Sequence, residues 1–234
     1  MASALHIVHI VTRNQPGGSA RNLYAQIQWE LMHGCEVELV VGGREEGVAT
    51  PPGATVHRAK DLVRKPNPLD DVQAARYLWR FIRERRPAIV HTHQSKAGVL
   101  GRVAARDSGA VLAHTVHMAS FGPGYSAPLS WAFQRAERHC ARFTDFLITV
   151  GEELRCRYLS AGIGREDQYS VVRSPVGVEP FLETRALSSD DRLSLRRRLG
   201  LPLRGSVLIA AGLPFYWLLR RSSRNDSALR HRRG

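Results

Sequence analysis

Residues 5–43, LHIVHIVTRNQPGGSARNLYAQIQWELMHGCEVELVVGG, contain the pattern that decides the fold. The first part, residues 5–12, is an apolar and β-branched run that predicts a buried strand. Apolar residues then recur at helical spacing, at Leu23, Ile27 and Leu31. Gly34 stands where this helix is predicted to end, and residues 36–43 predict a second strand. A strand, a helix and a strand in this order predict a βαβ unit with parallel strands.

The same alternation continues along the chain as far as residue 175. Further strands are predicted at residues 54–58, 88–93, 111–117, 145–150 and 169–174. Further helices are predicted at residues 68–87, 95–109, 128–143 and 151–162. In the first of these helices the predicted buried stripe is Val72, Ala75, Trp79 and Ile82. We therefore predict that residues 1–175 form one α/β domain with a Rossmann-like, doubly wound parallel sheet.

The character of the sequence changes after residue 175. Residues 176–212 are predicted to be a linker and the start of a second domain, with a capped helix at 188–202 and a strand at 206–212. Residues 213–234 are rich in arginine and have little apolar periodicity, and they predict a basic, disordered tail. The expectation is a second domain that is only begun, as truncation or a frameshift would leave it.

Composition and charge narrow the classes of function. The 234 residues carry a formal net charge of +13, which favours anionic partners such as phosphorylated substrates, anionic lipid or nucleic acid. Aromatic residues are not interleaved with the arginines, so no specific nucleic-acid binding is predicted. No apolar run approaches the roughly 20 residues of a membrane span, and the N-terminus lacks the pattern of a signal peptide. The three cysteines lack CxxC spacing, which predicts buried thiols and a cytoplasmic protein.

The loop after the first strand is a candidate anion site. Gly17 and Gly18 have no side chain, so their backbone amides are open to a ligand. Ser19 is predicted to cap the helix that follows, whose amino end presents N–H donors and a positive dipole. Such a loop suits a phosphate or diphosphate, although a simple tight turn explains the same residues.

Histidines supply the second candidate feature. His93 and His117 are predicted at the carboxyl ends of strands, where open parallel sheets bind ligands. His117 leads into a glycine-containing loop, and a neutral imidazole there would hydrogen-bond a sugar hydroxyl or stabilise developing charge. The remaining histidines of the strands are assigned to packing or local hydrogen bonds: His6, His9, His91 and His114. Their spacing does not predict a metal site.

Three ordered blocks resemble glycosyltransferase family 4. They are HIVHIVTRNQPGGSARNLYAQIQWELMHGCEVELVVGG, PAIVHTHQSKAGVLGRVAARDSGAVLAHTVH and VVRSPVGVEPFL, at residues 6–43, 87–117 and 171–182. The resemblance implies a GT-B fold, in which two Rossmann-like domains enclose a nucleotide sugar. It also implies transfer of the sugar to an acceptor with retention of anomeric configuration and without a metal cofactor. A lipid-linked or cell-envelope glycan is the acceptor that we expect.

The resemblance assigns roles to individual residues. It implies that Gly17 and Gly18 approach the donor diphosphate, with Ser19 beside them, and that His117 reaches the donor sugar. His93, Arg173 and Ser174 match pocket positions. The family pattern fails after Gly212, where Leu213 stands in place of an arginine and the later paired glutamates are missing. We therefore expect the isolated chain to lack the donor-binding domain and full activity.

Three alternatives stay open at this stage. A sugar-nucleotide epimerase would share the fold and would need an acid or base, for which Glu152 is the obvious candidate. A dinucleotide oxidoreductase is disfavoured because the GxGxxG pattern is missing. A non-catalytic module that binds sugar phosphates or an anionic membrane is the third. Helix 71–86 carries Trp79, Phe81 and Ile82 among arginines, which fits either a peripheral helix at the inner membrane face or a helix facing the core.

Overall fold

The computed structural model describes residues 4–15, 17–43, 51–174 and 188–200. The strands are β1 (His6–Val11), β2 (Glu36–Gly42), β3 (Thr55–Ala59), β4 (Ile89–His93), β5 (Val111–Val116), β6 (Phe146–Thr149) and β7 (Tyr169–Val171). The helices are α1 (Gly18–Met32), α2 (Pro68–Arg85), α3 (Ser95–Ala105), α4 (Ala127–Ala141), α5 (Glu152–Ser160) and α6 (Ser189–Arg198). A short 3₁₀ helix, Glu166–Gln168, precedes β7.

The seven strands form one parallel sheet in the order β3-β2-β1-β4-β5-β6-β7. The chain first builds outward from β1 to β3, then crosses back and builds outward from β4 to β7. The predicted α/β class with a Rossmann-like, doubly wound sheet is therefore confirmed. The direction of winding changes between β1 and β4, and an open sheet of this kind binds ligands beyond the carboxyl ends of the strands at that point.

Helices cover both faces of the sheet. On one face, α1 packs Leu23 and Ile27 against β1 and β2 in one buried cluster. On the other face, α2 and α3 pack against β1, β4 and β5 around Val8, Ile10 and Val90. The two clusters use alternate residues of the same strands, as the side-chain period of two requires. The central strands are therefore buried between two layers of helices.

The ends of α1 differ in part from the prediction. Gly34 has a positive φ of 77° and follows the C-cap residue His33, so the predicted glycine stop is confirmed. The predicted cap at Ser19 is wrong, because Gly17 occupies the N-cap position and no side chain caps the helix. The helix begins one residue before Ser19, which leaves Ser19 inside its first turn.

The buried face of α2 also differs from the prediction. Its buried residues are Ala74, Leu78, Phe81 and Ile82, whereas Val72 and Trp79 are about half exposed. Of the predicted stripe only Ile82 is in the core. The interpretation of this helix as core-facing is correct for Phe81 and Ile82. Trp79 instead lies on the outside, where the guanidinium carbon of Arg83 lies 4.6 Å from the centre of its ring.

Two glycines let α3 lie close to the sheet. A Cβ atom on Gly98 would lie 2.4 Å from Cε1 of His114, and one on Gly101 would lie 2.7 Å from Cγ2 of Thr92. Real Cβ atoms do not approach other atoms so closely. The imidazole of His114 therefore occupies the space that a side chain on Gly98 would need.

We expect Gly98→Ala to lower the free energy of unfolding by about 1–3 kcal/mol, the usual cost of overpacking a buried site. Alanine's better helix propensity offsets about 1 kcal/mol of this cost. Gly18→Ala is the matched control, since a Cβ atom there meets nothing within 4 Å. Urea unfolding of both variants measures the difference, and equal stability of the two would contradict the close packing of α3.

The chain divides into two compact units, residues 1–176 and 177–234. In the second unit, the predicted helix at 188–202 is present as α6, and the side chain of Ser188 caps it by accepting a hydrogen bond from the amide of Asp191. The predicted strand at 206–212 and the predicted tail at 213–234 lie outside the described residues. The predicted boundaries of the linker stay predictions.

Two predictions about the surface can be compared with the structure. Cys140 is buried, but Cys35 is partly exposed and Cys156 is exposed, so the prediction of three buried thiols is wrong for the last two. Cys156 lies on α5, two residues before Tyr158, which is the buried residue of that helix. Over the described residues, no helix is both long enough and apolar enough to cross a membrane.

Candidate functional site

A cavity of about 810 Å³ opens at the carboxyl edge of the sheet. Three strand-to-helix connections contribute to it, those that follow β1, β4 and β5. From these connections come Thr12, Arg13, Gln15, Gly17, Ser19, Gln94, Ser95, Lys96, His117 and Met118. The cavity therefore lies at the change of winding between β1 and β4, where a doubly wound sheet leaves a crevice.

The first connection brings the amino end of α1 to the cavity. Gly17 and Ser19 line the cavity, and Gly18 lies between them as the first residue of the helix. A Cβ atom on Gly17 or Gly18 would meet no atom closer than 3.9 Å. Packing within the chain therefore does not require glycine at these two positions. The space beside them is open, and the first amides of α1 carry the positive end of the helix dipole.

The second connection is held against the first by Gln94. Its side chain accepts a hydrogen bond from the amide of Arg13 at 3.1 Å and donates one to the carbonyl of Arg13 at 2.8 Å. Gln94 also has a φ of 65°, a conformation that is costly for a residue with a side chain. The amide of Ala97 donates to the hydroxyl of Thr12 at 3.0 Å. These contacts fix the two connections as one wall.

The third connection supplies His117, which lines the same cavity as Gly17 and Ser19. The residue that the sequence favoured as catalytic is therefore brought together with the predicted anion loop. Burial lowers the pKa of His117 below its ordinary value, so the imidazole is neutral at pH 7. A neutral imidazole can accept one hydrogen bond and donate another, which suits a hydroxyl-bearing ligand.

His93, which the sequence predicts to bind substrate, does not line the cavity, and its contact with a substrate stays a prediction. It is 1% exposed and lies behind His117, with its Nδ1 atom 3.4 Å from Nε2 of His117. Its side chain leaves β4 on the face that α1 covers, toward His9 and His91. Burial and the neighbouring histidines lower the pKa of His93 well below its ordinary value, so this ring is also neutral.

A cluster of histidines under α1 is the feature that sequence reasoning missed. His9, His91 and His93 are all buried, and their ligand-type nitrogens lie within 4.8 Å of one another. The strand register explains the cluster, since His9 is paired with His91 across β1 and β4. His91 and His93 are two residues apart and so point to the same face. That spacing, together with the adjacency of β1 and β4, was the available signal.

The ring geometry of this cluster suits hydrogen bonding better than metal binding. The rings of His91 and His93 stack with centroids 4.2 Å apart at 29°, and those of His9 and His93 stack at 5.3 Å and 26°. Ring nitrogens bind a metal in the plane of the ring, so stacked rings direct their lone pairs side by side. A zinc site needs nitrogens that converge at about 2.0–2.1 Å on one point.

Each nitrogen of the cluster has a hydrogen-bonding partner instead. Nε2 of His9 lies 2.7 Å from Glu30, and Nδ1 of His9 lies 3.0 Å from Nε2 of His93. His91 is held between Gln26 at 2.9 Å and the hydroxyl of Thr115 at 2.8 Å. Burying polar groups is costly unless they are paired in this way.

The remaining walls of the cavity differ in chemistry. Cationic side chains are contributed by Arg13, Arg64, Lys65 and Lys96. Lys96 forms an ion pair with Asp71 and donates to the carbonyl of Lys65 at 2.6 Å. Apolar and aromatic side chains are contributed by Met118, Tyr125, Leu129 and Phe133. The cavity can therefore hold a ligand that has both an anionic and an apolar part.

Three further residues named from the sequence do not line the cavity. Arg173 and Ser174 follow β7 at the edge of the sheet and are exposed, and their role in substrate binding stays a prediction. The hydroxyl of Ser174 instead accepts a hydrogen bond from Asn22 of α1 at 3.2 Å. Glu152, the proposed acid or base of an epimerase, is 59% exposed at the start of α5 and pairs with Arg155.

The structure is that of a Rossmann-like α/β domain with a cavity at the carboxyl edge of its parallel sheet. The sequence model of the glycosyl transferase 4-like domain matches residues 2–175. The chain belongs to this family, and its fold is that of the N-terminal half of a GT-B protein.

Comparisons with individual proteins agree with this assignment. An Escherichia coli UDP-Gal:alpha-D-GlcNAc-diphosphoundecaprenol alpha-1,3-galactosyltransferase is 32% identical over 93 residues, which are 39% of this chain and 24% of that protein. Anabaena HepE, solved with UDP and glucose, matches with a TM-score of 0.59 and 17% identity over 84% of this chain and 50% of that one. A Rickettsia bellii UDP-N-acetylglucosamine 2-epimerase matches with a TM-score of 0.57 and 17% identity over 85% and 52%.

These matches also show how much of each protein the chain corresponds to. The chain spans about half the length of the two solved structures and about a quarter of the galactosyltransferase. At 17% identity the two structures show the shared fold alone.

Proposed function

We propose that the protein is a glycosyltransferase domain that binds a nucleoside-diphosphate sugar and an acceptor in the cavity at the carboxyl edge of its sheet. One observation carries the proposal: the amino end of α1 and the ring of His117 line the same cavity. The amides at Gly17 and Gly18 bind the diphosphate, and His117 hydrogen-bonds the sugar. Transfer then proceeds with retention of anomeric configuration, as the family resemblance implies.

The chemistry of the two groups supports this arrangement. When a glycosidic bond to a nucleotide breaks, negative charge builds on the leaving diphosphate. Amides at a helix start are already oriented toward such charge and do not need to reorganise during the reaction. A neutral imidazole near the sugar fixes the position of its hydroxyls without placing a second charge in the cavity.

The walls of the cavity support an acceptor that is both anionic and apolar. Arg13, Arg64 and Lys65 offer positive charge, while Leu129 and Phe133 offer an apolar surface. The E. coli relative acts on a sugar linked through a diphosphate to undecaprenol, according to its name. We extend that class of acceptor, a lipid-linked sugar diphosphate, to this chain. No resident metal has a role in this proposal.

An NMR titration of the chain with UDP-glucose tests the proposal. We expect the backbone amides of Gly17 and Gly18 and the ring of His117 to shift together, with a single dissociation constant. The ring of His33 is the internal control, since it stacks on Trp29 at the far end of α1. Shifts confined to residues outside the cavity would contradict the proposal.

A matched pair of variants sharpens the titration. Gly18→Ala places a methyl group in the open space beside the amino end of α1, and we expect it to weaken binding of UDP-glucose at least tenfold. Gly151→Ala is the control, because Gly151 caps α5, also meets nothing within 4 Å and does not line the cavity. Equal loss of binding in the two variants would show that the effect is not local to the site.

A further inference from the structure

A continuous chain of hydrogen bonds runs from a buried carboxylate to the cavity. Oε2 of Glu30 lies 2.7 Å from Nε2 of His9, and Nδ1 of His9 lies 3.0 Å from Nε2 of His93. Nδ1 of His93 lies 3.4 Å from Nε2 of His117. Glu30 projects from α1, and the three histidines come from β1, β4 and the residue after β5. This series of hydrogen bonds therefore crosses the face of the sheet and ends at His117, which lines the cavity.

The first link sets the direction of all the others. Both carboxylate oxygens of Glu30 accept hydrogen bonds, since Gln26 donates to the second oxygen at 3.0 Å. His9 must therefore hold a proton on Nε2, and a histidine ring with a single proton accepts at its other nitrogen, here Nδ1. His93 then donates from Nε2 and accepts at Nδ1, so His117 donates from Nε2. Nδ1 of His117 is left without a proton.

We propose that Glu30, His9 and His93 are positioning residues that hold His117 in its Nε2–H tautomer, so that Nδ1 accepts a hydrogen bond from a ligand hydroxyl. Because Nε2 of His117 is taken by His93, Nδ1 is the nitrogen that remains for the cavity. The identity of the donor as a sugar hydroxyl rests on the proposed function. The tautomer of His117 does not, since it follows from contacts within the chain.

Burial supports this account in two ways. His9 is 0% exposed and His93 is 1% exposed, so water does not compete for their nitrogens. Burial lowers the pKa of both His93 and His117. These two rings are therefore neutral, as the series of hydrogen bonds requires. Burying three histidines under α1 also costs more free energy than burying apolar residues, which would be sufficient for packing alone.

Long-range proton–nitrogen NMR of the ¹⁵N-histidine-labelled protein at pH 8, without ligand, tests the tautomers directly. We expect Nδ1 of His117, His93 and His9 each to resonate as an unprotonated nitrogen and Nε2 as a protonated one. A proton on Nδ1 of His117 in the unsubstituted protein would overturn the proposal. This measurement does not depend on any variant.

Glu30→Gln is expected to reverse the donor and acceptor roles in every hydrogen bond from residue 30 to His117. Gln26 keeps its bond to the remaining side-chain oxygen, so the new amide nitrogen faces His9 and donates to Nε2. Each ring must then move its proton to Nδ1, and His117 changes from mainly Nε2–H to mainly Nδ1–H. Glu36→Gln is the matched control, since Glu36 is exposed at the start of β2, and it should leave every tautomer unchanged. A folded Glu30→Gln protein with the tautomer of His117 unchanged would overturn the proposal.

Binding of UDP-glucose separates this inference from the proposed function. We expect Glu30→Gln to weaken binding by up to about tenfold, the effect of losing one hydrogen bond to a ligand. If the tautomers reverse but neither protein binds UDP-glucose, the proposed function fails and the role of Glu30 stands. If UDP-glucose binds equally to both proteins while the tautomers reverse, Nδ1 of His117 does not meet a donor and the positioning role is wrong.

Discussion

Replacing Arg102 by methionine is expected to lower the free energy of unfolding by about 3–5 kcal/mol, the usual cost of removing one partner from a buried ion pair. Arg102 and Glu137 are both fully buried, and Nη2 of Arg102 donates to Oε2 of Glu137 at 2.6 Å. Nε of Arg102 also donates to the carbonyl of Gly98 at 2.7 Å. The substitution therefore leaves a carboxylate without a counter-charge between α3 and α4.

The charge state of this pair supports the size of the effect. Burial acts to lower the pKa of Arg102, but the charge and hydrogen bond of Glu137, together with Cys140 and Tyr158, act in the opposite direction, and the net effect is a raised pKa. The guanidinium is therefore fully charged in the folded protein. Methionine has a similar volume, so the cost comes from the unpaired charge rather than from a void.

Urea unfolding of Arg102→Met and of two comparison variants checks this expectation. The double variant Arg102→Met/Glu137→Leu removes both charges and should cost clearly less than Arg102→Met alone. Arg155→Met is the surface control, since Arg155 pairs with Glu152 and Glu166 in exposed positions, and it should leave stability unchanged. A cost below about 1 kcal/mol for Arg102→Met would show that the pair does not hold α3 to α4.

Acidification is expected to destabilise the protein more steeply than usual, because three histidines are buried as neutral rings. Burial lowers the pKa of His91, His93 and His114 well below the ordinary value, and for His114 the nearby Arg102 adds to the effect. Below about pH 6.5 the unfolded chain therefore binds protons that the folded chain does not. Each such histidine lowers the free energy of unfolding by about 1.4 kcal/mol per pH unit, so three lower it by about 4 kcal/mol per unit.

The sign and the window of this effect are both testable. Stability is at its full value above the unfolded histidine pKa of about 6.5, and it falls as the pH drops toward the lower folded values. Urea unfolding at pH 7.5, 6.5 and 5.5 measures the slope. His114→Asn keeps a hydrogen-bond donor toward the carbonyl of Thr92, and it should reduce the change in the free energy of unfolding with pH by the contribution of one histidine. His33→Gln at an exposed site should leave that pH dependence unchanged. Stability that is constant between pH 7.5 and 5.5 would contradict the neutral burial of these rings.

Local patterns in the sequence were sufficient to predict the strands. Most of the seven strands are apolar runs, with β3 and β7 as the more polar exceptions, and each was predicted to within two or three residues. The strand order and register were not predicted, since β1 and β2 are buried along nearly their whole length and show no alternation of buried and exposed positions. The side of α2 that faces the core was harder to predict, because Val72 and Trp79 lie at helical spacing from each other, as Leu78 and Ile82 do. Only contact with the sheet decides between two apolar stripes on one helix.

Residues of the cavity could be predicted when their place in the sequence, directly after a strand, was enough to assign them. Residues whose role depends on contacts with other strands or with a helix were missed. Gly17 and His117 could be assigned to the cavity because both follow strands at the carboxyl edge. His93 also lies at the carboxyl end of a strand, but its side chain points to the buried face, which its position in the sequence does not reveal. The role of Glu30 could not be seen at all, since its partner His9 is 21 residues away and only the packing of α1 brings them together.

A crystal structure of the protein with UDP-glucose is the most direct test of the central claim, that the cavity beside α1 holds an activated sugar. The account predicts density for the diphosphate at the amides of Gly17 and Gly18, and a glucose hydroxyl within hydrogen-bonding distance of Nδ1 of His117. A diphosphate bound away from the amino end of α1, with the ring of His117 facing an empty cavity, would contradict it.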